Sequence, residues 1–137
     1  MTRVCILVTG SRNWTDQKAI FERLADPRYG TTTLNRKHSV VLHGGARGAD
    51  SIASRAADVL GFLVESTPYF EELGKQGGVL RNALLVDKLL CYGRHGYQMA
   101  VLAFVLSGSV GTVDCIRRVQ RAKDKGALIE LHELHVE

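Results

Sequence analysis

Residues 3–9, Arg-Val-Cys-Ile-Leu-Val-Thr, are apolar almost without interruption up to Gly10. A strand with one face in water alternates apolar and polar residues. One that is apolar throughout is covered on both faces, as in a parallel sheet with helices above and below it. The same continuity recurs at 39–43, in the short run 62–66, in 99–106, which is the most apolar stretch, and in 127–131. Between these runs the apolar spacing becomes helical.

Strand and helix therefore alternate, with connections long enough for parallel crossovers, which predicts an α/β fold. The expected architecture is a Rossmann-like three-layer open parallel sheet of about five strands, in the order 3-2-1-4-5, with helices on both faces. Thr15 is placed to cap a first helix carrying Ile20, Phe21 and Leu24, stopped near Asp26-Pro27. Residues 27–38, Gly30 among them, show no period and read as a long, mobile surface connection. A second helix carries Ile52, Ala53, Ala56, Ala57 and Leu60, with Gly61 in place to end it. Residues 68–78, beginning at Pro68, read as an irregular segment able to cover a ligand. Gly77-Gly78 then opens a third helix with Arg81 and Asn82 in its first turn and a stripe of Val79, Ala83, Val86 and Leu90, flanked by Leu80 and Leu84. The glycines of 92–97 mark a loop. A last helix turns Val113, Ile116, Val119 and Gln120 inward, and Glu133 to Glu137 read as a frayed end.

All 137 residues are expected to form one domain, 1–137, and no apolar run is long enough to span a bilayer. The opening Met1-Thr2-Arg3 leads straight into a strand rather than a cleavable leader, which predicts a cytoplasmic protein. Cys5, Cys91 and Cys115 are odd in number and unpaired in spacing, so buried thiols are expected. The net charge of +4 is modest, and much of the excess lies in Arg117, Arg118, Arg121, Lys123 and Lys125. Without interleaved aromatic residues this reads as a solvated helix face, so nucleic-acid binding is not favoured.

Chemistry gathers in the turns that follow strands, which share the carboxyl edge of such a sheet. After the second strand comes His43-Gly44-Gly45-Ala46-Arg47-Gly48-Ala49-Asp50, a glycine turn entering a helix, where backbone can approach an anion and first-turn amides are unpaired. The first strand ends in Gly10-Ser11-Arg12, and the fourth in Ser107-Gly108-Ser109-Val110-Gly111-Thr112, a second glycine-rich helix start. Arg12, Arg47 and Arg81 supply bidentate phosphate contacts. A phosphorylated ligand follows from this set. No lysine lies in any of these turns, so the P-loop motif is absent, and the glycine pattern of dinucleotide-binding proteins is missing after the first strand.

Individual residues keep two readings each. Asp50 either bonds ribose hydroxyls or a substrate proton, or is a first-turn acid favoured by the helix dipole. Asn82 can read a base edge or a ribose. His43 either donates to phosphate or is satisfied by backbone. Trp14 either stacks on a base or staples the first helix against Ala19 or Ile20. His132 and His135 fall outside the cleft and lack a third ligand, so no metal is expected.

In order and spacing, Gly10-Ser11-Arg12-x-Trp14, the His43–Asp50 block, Gly78-x-x-Arg81-Asn82 and Gly108-x-x-Gly111-Thr112 resemble the YspA/cpYpsA-related (YAcAr) branch of the SLOG superfamily, found in bacteria and bacteriophages. The superfamily includes cytokinin-activating phosphoribohydrolases, DprA single-strand DNA-binding proteins and sensors of nucleotide-derived signals. The resemblance implies a Rossmann-like fold, a ligand pocket at the glycine turns, a homo-oligomer (dimer or tetramer), no cofactor, and host cytoplasm if the chain is phage-encoded; it does not imply one activity. The phosphoribohydrolases carry Pro-Gly-Gly-x-Gly-Thr-x-x-Glu. Here the proline and second glycine are missing from Ser107–Cys115, Cys115 replaces the glutamate, and Asp114 lies one position early, about 100° around a helix. The expectation is a protein that binds a nucleotide or nucleotide-derived phosphorylated small molecule as sensor, carrier or sequestering agent. The alternative is a phosphoribohydrolase-like enzyme cleaving the N-glycosidic bond of a nucleoside monophosphate, with Asp50 or Asp114 stabilising the ribosyl cation and Arg81 holding phosphate. A third is single-stranded nucleic-acid binding through Arg117–Lys125.

Overall fold

The computed structural model describes every residue except Met1, Gly30, Leu34, Pro68 and Glu137. The parts of the irregular segments and of the frayed end expected at Gly30, Pro68 and Glu137 lie outside the described residues. Five parallel strands form one sheet: β1 (Val4–Gly10), β2 (Val40–His43), β3 (Leu63–Ser66), β4 (Gln98–Leu106) and β5 (Ile129–Val136), in the order β3-β2-β1-β4-β5. This is the expected α/β Rossmann-like sheet, with β1 central and the most apolar strand, β4, beside it.

Pleating sends alternate side chains of β1 to two separate cores. Val4, Ile6 and Val8 join Leu102 and Phe104 of β4 under α1 (Gln17–Ala25) and α2 (Ala49–Leu60). Cys5 and Leu7 join Leu42 and Val101 under α3 (Lys75–Arg94) and α4 (Val110–Asp124). Alanines at 49, 53, 56 and 57 let α2 approach the sheet closely, and Gly61, at φ 93°, ends it in the left-handed conformation.

Several local expectations are corrected. Asp16, not Thr15, caps α1: its carboxylate accepts from Ala19 N at 3.1 Å. Ile20 and Leu24 are buried, but Phe21 faces outward. The connection after α1 is not loose. Thr31 is buried and donates to Leu24 O at 2.6 Å, Arg36 donates to Ala25 O at 3.0 Å, and Ser39 donates to Asn35 O while accepting from Val4 N.

Helix α3 begins at Lys75, two residues before the glycine pair taken for its start, and runs on through Arg94. Gly77 lies inside it because an added Cβ would fall 2.1 Å from Phe70 O, so the glycine serves a close backbone approach rather than a break. The buried face is accordingly Asn82, Leu85, Val86 and Leu89, while Val79 and Leu80 are exposed. On α4 the buried residues are Thr112, Cys115 and Val119; Val113 and Gln120 are exposed. β5 continues to Val136 in parallel register with β4, so the segment after Leu131 is paired strand and not a frayed end. Leu131 and Leu134, three apart, pack on opposite cores, which holds this edge strand from both sides. Cys5 and Cys115 are buried, but Cys91 is exposed. Among the described residues no helix is long and apolar enough to cross a membrane.

Candidate functional site

The winding of the sheet reverses between β1 and β4, and the turns after these strands open a crevice there. One residue of the first turn, Ser11, joins four chain segments. Its carbonyl accepts from Trp14 N at 3.2 Å and from Ala49 N, at the start of α2, at 3.1 Å. Its hydroxyl accepts from Leu106 N at 2.9 Å and shares a hydrogen bond with the Ser109 hydroxyl just before α4. Gly48 makes this junction possible: it sits at φ 75°, and a Cβ there would lie 2.4 Å from the carbonyl oxygens of both Ser11 and Arg12.

Three amides of the first glycine turn, those of Gly44, Gly45 and Ala46, are turned inward and not presented to a ligand. Asp50, 5% exposed, turns back from α2 so that Oδ2 accepts from Gly44 N at 3.0 Å and Ala46 N at 3.3 Å. The ring nitrogen Nδ1 of His43 accepts from Gly45 N at 2.9 Å. Burial lowers the pKa of His43, which favours the neutral ring that this bond requires; Nδ1 is thus an acceptor for its own loop, and the ring proton lies on Nε2. Burial pushes the Asp50 carboxyl up to about 6, against the opposing pull of the Ala46 and Gly44 amides and of Arg81 and Arg12.

The second glycine turn is different. Ser109 makes no side-chain cap, and the amides of Gly111 and Thr112 in the first turn of α4 have no hydrogen-bond partner among the described residues. They are open donors at the positive end of a helix dipole.

Three pockets share the edge. The largest, about 1110 Å³, lies between α3, α4 and the end of β5, and Arg12, Arg81, Asn82, Ser107, Gly108, Ser109, Gly111 and Asp114 line it. Its floor, a pocket of about 370 Å³, reaches Gly10, Ser11, Ala46, Asp50 and Thr112. On the other side of Arg81 a pocket of about 430 Å³ is lined by Arg12, Gly44, Gly45, Ala46 and Arg47. His43, Gly48 and Trp14 line none of the three. Trp14 is 3% exposed and packs edge-on against Phe104, with its ring nitrogen donating to Asp16 O at 3.0 Å. A ring so enclosed is core and not a stacking platform.

Asn82 is a brace between helices. Its amide nitrogen donates to Gly111 O at 3.1 Å and to Asp114 Oδ2 at 3.0 Å, which positions the first turn of α4. Asp114 Oδ2 also accepts from Arg118 Nε at 3.1 Å. Partial burial acts to raise the Asp114 pKa, but the hydrogen bonds from Asn82 and Arg118 prevail and lower it. Arg81 lies along the first glycine turn, donating to Gly44 O at 3.3 Å with its guanidinium 5.5 Å from the Tyr69 ring; a Cβ on Gly44 would meet its Nε at 2.7 Å.

Sequence reasoning missed several lining residues. Tyr69 and Lys75 come from the segment expected to cover a ligand, and Thr67 lies just before it. Val110, Val113, Asp114 and Arg117 form one face of α4 at spacings of three and four, a signal that places Arg117 in the crevice although it had been counted with the solvated basic residues. His135, expected outside the cleft, lines it because β5 is longer than expected. Among the described residues no group of three or more histidine, cysteine, aspartate or glutamate side chains is placed to hold a metal ion.

The YspA, cpYpsA-related SLOG family matches residues 4–68, which span β1, the first glycine turn and β3. The Gene 61 protein of Mycobacterium phage D29 is 42% identical over 125 residues, covering 85% of this chain and 89% of that protein. No solved structure matches. With this family matching nearly half of the chain, the part that carries the first glycine turn, and a phage relative 42% identical aligned over most of both chains, the chain belongs to the YspA, cpYpsA-related SLOG family.

Proposed function

We propose that this protein binds a nucleotide or nucleotide-derived phosphorylated small molecule in the crevice between α3 and α4, as a sensor, carrier or sequestering protein. One observation carries the reading: the open amides of Gly111 and Thr112 stand at the edge of a crevice lined by Arg12, Lys75, Arg81 and Arg117. The only carboxylate lining that crevice among the described residues, Asp114, is already bonded to Asn82 and Arg118. Phosphate oxygens take the amides and guanidinium groups. Val79, Val110 and Val113 supply the apolar wall that a base or other flat ring requires.

The phosphoribohydrolase reading draws on Asp50, which borders the floor of the crevice, uses only Oδ2 in its loop bonds and titrates near neutrality. A single experiment separates the two. The protein is screened by thermal shift against nucleotides, cyclic nucleotides, ADP-ribose derivatives and phosphosugars, and each hit is repeated with Arg117→Ala and assayed for released base. A ligand at a hundredfold excess over Kd stabilises the fold by about 2.7 kcal/mol, well within reach of the assay. A shift lost in Arg117→Ala, with the ligand intact after incubation, supports binding alone. Release of base, abolished by Asp50→Asn, replaces this reading with the enzymatic one. Absence of any shift across the panel refutes both.

A further inference from the structure

The pocket on the β2–β3 side of Arg81 is built differently from the crevice. Arg12 from the first turn, Arg47 from the glycine turn and Arg81 from α3 line its volume of about 430 Å³, together with Ser66, Thr67 and Tyr69, and no carboxylate lines it. None of the three arginines makes an ion pair among the described residues. Asp50, whose charge acts on Arg81 and Arg12, is tied by Oδ2 to Gly44 N and Ala46 N, and its single charge leaves the three guanidinium groups in excess.

Two buried donors beside this pocket have no acceptor. Thr67 is 3% exposed, and its hydroxyl makes no hydrogen bond; Arg81 Nε is likewise buried and unbonded. Native proteins rarely leave buried polar atoms unsatisfied, because each forfeits its hydration without replacement. Unbonded donors and unneutralised cations at one place have a common remedy, an oxyanion. Three guanidinium groups arriving from three chain segments suit a tetrahedral group with several acceptor oxygens better than a planar carboxylate, which a single fork-shaped arginine satisfies. The amides of Gly44, Gly45 and Ala46 play no part, since Asp50 and His43 have taken them.

We propose that this pocket is a second oxyanion site, taking a terminal phosphoryl group through Arg12, Arg47, Arg81 and Thr67, beside the nucleotide crevice, with which it shares Arg12 and Arg81. It does not depend on the function proposed for that crevice. Arg47 and Thr67 line this pocket and not the crevice, whereas Arg117 lines the crevice and not this pocket.

The test uses inorganic phosphate as probe on the full chain without nucleotide, by calorimetry and by line broadening in phosphorus NMR. Phosphate is expected to bind at millimolar concentration, more weakly as salt rises, with affinity reduced about tenfold or more by Arg47→Ala, the loss of one charge-assisted contact. Thr67→Val keeps the side-chain shape, so the fold survives, and is expected to weaken phosphate severalfold. Arg117→Ala is expected to leave the Arg47-dependent component of that binding unchanged. Failure to bind phosphate, or binding weakened by Arg117→Ala and indifferent to Arg47→Ala and Thr67→Val, overturns the second site. Nucleotide binding that depends on Arg117 stands in either case, so the two readings fail separately.

Discussion

Replacing Asp50 by asparagine tests the account of the first glycine turn. The carboxylate is 5% exposed and holds Gly44 N and Ala46 N with one oxygen. Burial raises its pKa from an ordinary 3.8 to about 6, more than the two amides, Arg81 and Arg12 bring it down. The folded protein therefore keeps this proton over a range in which the unfolded chain has lost it. Stability from this group is greatest below about pH 4, falls as pH rises and levels off above about pH 6. At about 1.4 kcal/mol per pH unit, a shift of about two units makes the fall on the order of 3 kcal/mol. Asparagine keeps an acceptor for Gly44 N and removes the titration. Urea unfolding of both proteins across this range is expected to show the wild type losing about 3 kcal/mol relative to Asp50→Asn between acid and neutral pH. A constant difference would mean that the carboxyl titrates alike folded and unfolded. A difference that grows in favour of the wild type with rising pH would mean that amides and arginines outweigh burial. Either result refutes the reasoning.

Gly48→Ala is expected to cost about 3 kcal/mol in chemical denaturation, from left-handed strain and overlap with Ser11 O and Arg12 O, whereas Gly45→Ala, at φ 72° in open space, costs only about 1 kcal/mol. Asn82→Ala leaves Gly111 O and Asp114 short of a donor, destabilising by about 2 kcal/mol and raising the Asp114 pKa, which carboxyl NMR titration reads directly. A thiol reagent is expected to label Cys91 alone in the native protein and all three cysteines after unfolding. Cys5 and Cys115 are buried, and burial pushes both thiols up, Cys115 to about 11.

The parallel sheet was legible because continuous apolarity reports burial on both faces, as in β1, β2 and β4, although the edge strands β3 and β5 are largely exposed. Element ends were less so, for particular reasons. Gly77-Gly78 reads as a breaker, yet Gly77 answers to Phe70 O, a neighbour seven residues back that no helical period announces. The stretch from His132 to His135 reads as polar and frayed, yet an edge strand needs only Leu131 and Leu134 to hold it, since its outward groups meet water. Within the site, the residues of the glycine turn were readable but the direction of their hydrogen bonds was not. Nothing in His43–Asp50 as a string of letters tells whether its amides face a ligand or its own histidine and aspartate. Thr67 was missed for a related reason, because one threonine after a short strand carries no pattern.

Ser11 gives the crevice a kinetic character. By joining the starts of α2 and α4 to the ends of β1 and β4, it holds the walls in place before any ligand arrives. The entropy of gathering those segments is spent during folding, so a small ligand need not meet it on binding. Association should then be governed by encounter and charge, at rates that salt slows, and differences among ligands should appear in how long each one stays.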